Sequence, residues 1–184
     1  MMKRLFALVV IASLSLSVTA QEKIKWVSIE EAVALQKKNP KKIIVDMYTV
    51  WCGPCKLLDK KTFQNPDVVD YVNKHFYAVK FNAEGNDKVK FKDKTFGNPN
   101  YDPARASKRN SQHELAKYFQ VRAYPTMVFL DEDQEFLAPI RGYKTPQQLE
   151  LYLKLFKNND HKDLTTQEAF DEYYSAFKPE FSGE

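Results

Sequence analysis

The sequence predicts an α/β fold in which helices cover both faces of a mixed central sheet. Two apolar runs, at 43–48 and 76–81, are predicted to be buried strands because they lack the alternation of a half-exposed strand. A third run, at 126–130, is followed by a polar turn and a partner strand at 135–140, which predicts an antiparallel hairpin. The full order is helix, strand, helix, strand, helix, strand, strand, helix, and this alternation is typical of layered α/β folds.

Polar caps mark the starts of the predicted helices. In a capping pair, the Ser or Thr side chain accepts a hydrogen bond from the backbone N–H three residues further on. The Glu or Gln at that later position accepts the backbone N–H of the Ser or Thr in return. Asn65 followed by Pro66 and Asp67 indicates another start, because Pro suits the first turn and an acid faces the positive helix end. The predicted capping pairs are Ser28 with Glu31, Ser111 with Glu114, Thr145 with Gln148 and Thr165 with Glu168.

The first twenty residues, 1–20, have the features of a signal peptide. Lys3 and Arg4 supply a positive start, residues 5–18 are mostly apolar, and small residues end the segment at Ala20. We predict cleavage after Ala20 and a protein that is periplasmic or secreted. The apolar run is shorter than the roughly 20 residues of a spanning helix, so no stable membrane insertion is expected. An uncleaved anchor is the alternative.

We predict that residues 21–184 form a single domain with two additions, since a chain of this length suits one core. The core covers about 26–157. A Lys- and Asn-rich segment at about 85–110 is predicted to be an insertion after the second buried strand, with a small hairpin inside it. An extra C-terminal helical extension covers about 160–184.

Charge and histidine placement exclude two kinds of binding. Without Lys3 and Arg4, 26 basic residues remain against 24 acidic ones, and a formal charge of +2 is too small to imply a nucleic-acid partner. The histidines, His75, His113 and His161, are scattered and show no ligand spacing with the cysteines. No metal site is therefore expected.

Both cysteines of the chain lie in one motif, Trp51-Cys52-Gly53-Pro54-Cys55, at the start of a predicted helix. The pair can close and open a reversible disulfide, and neither thiol has another cysteine to pair with inside the molecule. Helix-end donors and the dipole stabilise a thiolate, so Cys52 is the candidate nucleophile, and Cys55 would resolve the mixed disulfide. A structural disulfide is the usual fate of an exported pair, although so small a ring constrains little.

Asp46 is an anomalous acid in an otherwise apolar strand, six residues before Cys52. Burying an isolated carboxylate is costly unless its pKa rises or it finds a partner. A raised pKa would make Asp46 a usable proton acceptor for Cys55. The alternative is that Asp46 is only a structural acid of the core, with its carboxyl hydrogen-bonded to neighbouring groups.

The chain resembles thioredoxin over roughly residues 26–157. The resemblance rests on an ordered set of residues, which comprises Asp46, the motif from Trp51 to Cys55, Lys80, Pro125 and Gly142. It implies a thioredoxin fold in which Asp46 and Lys80 form a buried pair that tunes Cys55. It also implies a cis peptide before Pro125, whereas the rarity of cis proline taken alone favours trans.

The resemblance further implies a substrate surface around the cysteine pair. Its residues would be Trp51, Gly53, Pro54, Tyr124 and Pro125. Tyr124 would offer its backbone to an extended substrate. Three residues near this surface depart from thioredoxin: Tyr48 replaces a tryptophan, Ala123 a common glycine and Tyr124 a smaller residue. We therefore expect a substrate range that differs from that of thioredoxin and is restricted by the insertion.

The export signal and the long chain are more similar to exported thiol-disulfide interchange proteins and the thioredoxin-like end domain of DsbD than to cytosolic thioredoxin. The implied function is an envelope thiol-disulfide oxidoreductase, acting as a reductant because Gly53 and Pro54 are the thioredoxin pair. Expected partners are disulfide-containing exported proteins and a membrane electron donor of the DsbD kind. No cofactor is expected, since the dithiol carries the electrons. Alternatives are an oxidase or isomerase, a binding module or holdase, and a protein dedicated to one partner.

Overall fold

The computed structural model describes residues 22–183, and the predicted signal peptide lies outside that range. The central strands are β1 (Trp26–Val27), β2 (Lys42–Tyr48), β3 (Phe76–Asn82), β6 (Thr126–Leu130) and β7 (Phe136–Arg141), and a separate hairpin comprises β4 (Val89–Phe91) and β5 (Lys94–Phe96). The helices are α1 (Ile29–Lys38), α2 (Gly53–Lys61), α3 (Pro66–His75), α4 (Glu114–Tyr118), α5 (Pro146–Asn158) and α6 (Gln167–Ala176). None of these helices is long and apolar enough to cross a membrane.

The central sheet is mixed, as predicted. Its strand order is β1-β3-β2-β6-β7. The strands β1, β3 and β2 run parallel, whereas β6 pairs antiparallel with β2 and β7 pairs antiparallel with β6. The sequence pattern missed the edge strand β1, because two residues are too few to show a period.

Helices cover both faces because the side chains of β2 alternate between them. On one face, Ile43, Val45 and Met47 pack in a cluster with residues of α1 and α4. On the other face, Ile44 packs in a second cluster with residues of α2, α3 and α5. Asp46 is two residues after Ile44 and therefore lies on the same face of the strand, so its carboxyl points to the face that α2 covers.

Side-chain caps start three helices where the sequence predicts them. Ser28 caps α1, Asn65 caps α3, and Thr145 with Gln148 forms a complete capping box at α5. Each cap oxygen accepts a backbone N–H that has no partner inside the first turn. These local signals therefore determine where the helices begin.

Two other predicted caps were wrong by one or two residues. The cap of α6 is Thr166 and not Thr165. The cap of α4 is His113 and not Ser111, because the buried His113 ring accepts the N–H two residues further on. The Ser111 hydroxyl instead donates to Asn98 Oδ1 at 2.7 Å. The Glu114 N–H that a Ser111 cap would accept donates instead to the Gly97 carbonyl at 2.9 Å, a partner that spacing alone does not reveal.

The insertion packs into the core. Its hairpin buries Val89, Phe91 and Phe96 in the cluster that α1 and α4 cover. The Phe91 ring lies 5.3 Å from the ring of Phe119 in an edge-to-face arrangement. The Asn98 amide donates to two carbonyls at the ends of the insertion, at 2.9 and 2.8 Å. Removing the whole segment would therefore expose apolar core.

The C-terminal extension returns to the core through a buried carboxylate. Glu150 of α5 is fully buried and accepts the backbone N–H groups of Glu180 and Phe181 at 2.8 to 3.0 Å. Ser182 donates to Asp67 at the start of α3, at 2.7 Å from its N–H and 2.6 Å from its hydroxyl. Neither α6 nor the segment from 177 to 183 contributes a fully buried residue, so hydrogen bonds such as these help to hold the extension against the core.

Candidate active site

Cys52 and Cys55 form a disulfide at the amino end of α2. Cys52 occupies the cap position, and its Sγ accepts the Cys55 N–H at 3.1 Å. Both cysteines are buried, whereas Gly53 and Pro54 between them are exposed. The first turn of α2, which is fully described, contains no acidic residue, so no carboxylate there opposes the positive helix end. This position favours a thiolate on Cys52 once the disulfide is reduced.

Asp46 lies directly opposite Lys80 in the β2–β3 pairing, and it is 1% exposed. Burial raises the pKa of Asp46 to about 6, even though the Lys80 ammonium, 3.3 Å from Oδ2, acts to lower it. The other carboxyl oxygen, Oδ1, is buried without a hydrogen-bond partner among residues 22–183. A carboxyl with this pKa and one free oxygen can accept and release a proton near neutral pH.

The Lys80 ammonium is shared between two carboxylates. It contacts Asp59 of α2 as well as Asp46. Its nitrogen also lies 5.1 Å from the Trp26 ring centroid and 5.2 Å from that of Tyr48, which adds cation–π attraction. Asp59 acts to raise the pKa of Asp46. The structure thus forms the implied Asp46–Lys80 pair and adds a third charged group to it.

Trp51 connects the cysteine motif to the insertion. Its indole N–H donates to Glu84 Oε2 at 2.7 Å, and the same oxygen accepts the Asn110 N–H at 2.8 Å. The Arg109 guanidinium lies 4.6 Å from the Trp51 ring centroid. The ring of Tyr124 meets Trp51 edge to face at 6.0 Å. The end of the insertion therefore covers part of the surface beside Cys52.

The Tyr124–Pro125 peptide is cis, as the resemblance implied. The Gly142 N–H donates to the Pro125 carbonyl at 2.8 Å, and Gly142 has φ +79°, a conformation that favours glycine. Burial first, and then the nearby charge of Glu84, raise the pKa of Tyr124 to about 12. Tyr124 is therefore a neutral hydroxyl at physiological pH.

Sequence reasoning missed Asp59, Glu84 and Arg109. Asp59 lies one turn after Cys55, where an acid on a helix is ordinary. Its signal was the spacing of four residues, which places it beneath Cys55 on the same helix face. Glu84 and Arg109 meet Trp51 only because the insertion folds back, and nothing in their local sequence indicates this.

Comparison with known proteins identifies the family. A family model described as a thioredoxin-like domain matches residues 29–157. The chain belongs to the thioredoxin-like family. This thioredoxin-like chain is 24% identical over 121 residues to the thiol:disulfide interchange protein DsbD of Pectobacterium atrosepticum. That alignment covers 65% of this chain and 17% of DsbD, so the chain spans less than a fifth of that relative.

Two solved structures resemble the thioredoxin-like chain. A candidate disulphide-isomerase from Bacteroides thetaiotaomicron is 30% identical, with a TM-score of 0.50, and the match covers 74% of this chain and 95% of that one. A thioredoxin-fold protein from Helicobacter pylori is 19% identical with a TM-score of 0.55, covering 74% and 82% of the two chains. At such low identity the second likeness shows the fold alone. Together they place the cysteine pair of this chain in a thioredoxin fold.

Proposed function

We propose that this protein is an envelope thiol-disulfide oxidoreductase that reduces disulfides in exported proteins. The observation that carries the proposal is the position of Cys52 at the amino end of α2, with Cys55 one turn further in. The membership of the thioredoxin-like family supports the same activity. The two thiols of the pair carry the electrons that pass to the substrate.

The proposed reaction has two exchange steps. The Cys52 thiolate attacks one sulfur of a substrate disulfide, which forms a mixed disulfide and releases one substrate thiolate. The Cys55 thiolate then attacks the Cys52 sulfur, which re-forms the Cys52–Cys55 disulfide and releases the second substrate thiolate. Two electrons pass from the dithiol to the substrate, and the two released thiolates take up protons. A dithiol reductant must then restore the reduced pair.

We assign Asp46 the role of proton acceptor for Cys55. Its buried carboxyl points to the face covered by α2, and the pKa of about 6 leaves it mostly ionised at pH 7. Lys80 keeps the ionised form accessible by placing a positive charge 3.3 Å away. Trp51, Gly53, Pro54, Tyr124 and Pro125 are proposed to form the substrate surface around the pair.

Two features of the chain support the proposed location and the proposed electron donor. The predicted signal peptide supports export to a periplasm or the medium. The similarity to DsbD supports a donor of that kind in the membrane. The Gly53-Pro54 pair between the cysteines supports net reduction.

The reduction potential of the Cys52–Cys55 pair tests the direction of electron flow. Full-length mature protein would be equilibrated with a dithiothreitol or glutathione series, and the thiol fraction measured by alkylation. We expect a potential near about −270 mV, the range of thioredoxin. A potential near about −120 mV, as in DsbA, would contradict net reduction, and a pair that does not exchange would contradict the activity itself.

An isomerase is the second candidate, because the candidate disulphide-isomerase from Bacteroides thetaiotaomicron is 30% identical. An isomerase restores activity to a protein with scrambled disulfides, whereas a reductase only opens them. To separate these functions, scrambled ribonuclease is incubated with wild-type protein or with Cys55→Ser, and the ribonuclease activity that it regains is measured. Activity that survives in Cys55→Ser would favour isomerisation, since one attacking thiol is enough to shuffle disulfides.

The insertion is proposed to restrict which disulfides reach Cys52. The contacts of Trp51 with Glu84 and Arg109 support this role. Deleting the segment is a poor test because its hairpin is part of the core. Arg109→Ala is a more specific test, and Arg105→Ala is a matched control on the same segment. We expect only Arg109→Ala to increase the rate with a bulky protein disulfide that is flanked by uncharged residues, and equal rates would contradict the proposal.

A further inference from the structure

A cavity of about 630 Å³ opens beside the cysteine motif. Its polar lining comes from the motif, the insertion and the segment before the cis proline, namely Trp51, Glu84, Arg109, Gln112, Arg122 and Tyr124. We propose that this cavity binds a carboxylate next to the substrate disulfide and so makes the protein selective for anionic substrates. The inference rests on the proposed thiol-disulfide activity.

The cavity carries two exposed guanidinium groups that have no internal anion. Within residues 22–183, neither Arg109 nor Arg122 has a carboxylate oxygen within 4 Å of its side-chain nitrogens. Arg109 is held over the Trp51 ring at 4.6 Å. Stacking orients its planar fork without using the N–H donors, which stay available for a carboxylate.

One acid, Glu84, lines the cavity together with the two arginines. Glu84 is 8% exposed, and its Oε2 already accepts two N–H groups, from the Trp51 indole and the Asn110 backbone. These two bonds fix the Glu84 side chain in the wall of the cavity. Two guanidinium groups and one carboxylate give the cavity a net positive formal charge, and Tyr124 and Gln112 add a hydroxyl and an amide.

The position of the cavity connects this charge to the exchange reaction. Trp51 immediately precedes Cys52, and Ala123 and Tyr124 immediately precede Pro125. An extended substrate that places its cysteine at Cys52 and its backbone along Tyr124 would direct a flanking side chain towards Arg109 and Arg122. A carboxylate in that place would form charge-assisted hydrogen bonds, and an ammonium group would be repelled.

The first test compares disulfide-linked peptide dimers that are identical except for one residue beside the cysteine, which is Asp, Asn or Lys. Mature protein is kept reduced by dithiothreitol, and release of free peptide thiol is followed by chromatography. We expect the rate to fall in the order Asp, Asn, Lys, with about two- to fivefold between steps, as for exposed ion pairs. The preference should shrink in 0.5 M salt, since screening weakens exposed charge interactions.

Substitution of the two arginines tests whether the cavity causes the charge preference. Arg109→Gln and Arg122→Gln should each reduce the Asp-over-Lys ratio by about two- to fivefold. Arg105→Gln is the matched control, because Arg105 is exposed on the same insertion and does not line the cavity. A ratio that stays the same in both cavity variants would overturn the inference.

Small disulfides distinguish the source of the carboxylate. Glutathione disulfide carries carboxylates and cystamine carries only ammonium groups. If the Asp peptide reacts faster than the Lys peptide, the cavity serves polypeptide substrates. If the peptides react at equal rates but glutathione disulfide reacts faster than cystamine, the cavity serves small anionic disulfides. Equal rates in both sets overturn the inference, although the activity stands. Absence of exchange with every substrate instead overturns the proposed function.

Discussion

The Lys80 ammonium lies 3.3 Å from Asp46 Oδ2, across the parallel pairing of β2 and β3. The same ammonium contacts Asp59, which is half-buried at the surface of α2. Two carboxylates therefore compete for one cation. Because Asp46 is buried, and because the Asp59 carboxylate nearby opposes its ionisation, the pKa of Asp46 stays at about 6 despite the Lys80 cation. Three of the following predictions depend on this relationship.

Asp46→Asn should stabilise the protein at pH 7. The folded pKa of about 6 lies above the ordinary aspartate pKa of 3.8, so between these pH values the native state holds a proton that the unfolded chain releases. Stability contributed by Asp46 therefore falls as pH rises through this window and levels off above it. We expect Asp46→Asn to gain about 1 to 3 kcal/mol at pH 7 and little at pH 4.

Urea unfolding at pH 4 and pH 7 measures this gain. Asp93→Asn is the control, because Asp93 is an exposed acid of the insertion. An equal effect of Asp46→Asn at both pH values would show that its carboxyl is not strained by burial.

Asp46→Asn should also slow the resolution of mixed disulfides. Without the carboxylate, Cys55 lacks its proposed proton acceptor, and the rate should fall on the order of 100-fold at pH 7. In the wild-type protein the resolution rate should rise with pH through about 6, where Asp46 ionises. Stopped-flow release of substrate thiol from a preformed Cys52 mixed disulfide follows this step, and an unchanged pH profile in Asp46→Asn would remove Asp46 from the mechanism.

Asp59→Asn should move the pH profile of the same step to lower pH. Asp59 acts to raise the pKa of Asp46, and it also draws on the Lys80 ammonium. Its removal leaves that cation to Asp46 alone, so the pKa of Asp46 should fall. Asp70→Asn, at an exposed acid of α3, provides the comparison and should leave the profile in place.

Glu150→Gln should release the C-terminal segment. Glu150 accepts the N–H groups of Glu180 and Phe181, and its Oε1 lies 2.6 Å from the Lys154 ammonium. An amide cannot accept all of these donors, so buried groups lose partners at a cost of about 1 to 3 kcal/mol. Chymotrypsin should then cleave after Phe177 faster than in the wild-type protein, whereas exposed Glu172→Gln should not change the rate.

Local signals predicted most of the fold. Apolar runs identified the strands β2, β3 and β6, since buried strands need unbroken apolar side chains. Caps such as Asn65 and Thr145 identified helix starts, because the orphan N–H groups of a first turn are satisfied within three residues. The same signals failed at His113 and Thr166. At the first site the Glu114 N–H donates to the distant Gly97 carbonyl, and at the second site spacing does not distinguish two adjacent threonines.

The sequence by itself determined the α/β class, the single cysteine pair at a helix start and the anomalous buried acid Asp46. These features depend on composition and spacing within a few residues. Only the tertiary structure decided that Asp59 shares the Lys80 ammonium and that Arg109 stacks on Trp51. Arg109 lies 58 positions from Trp51. Contacts between such distant residues depend on how the insertion packs back onto the core, which no local pattern records.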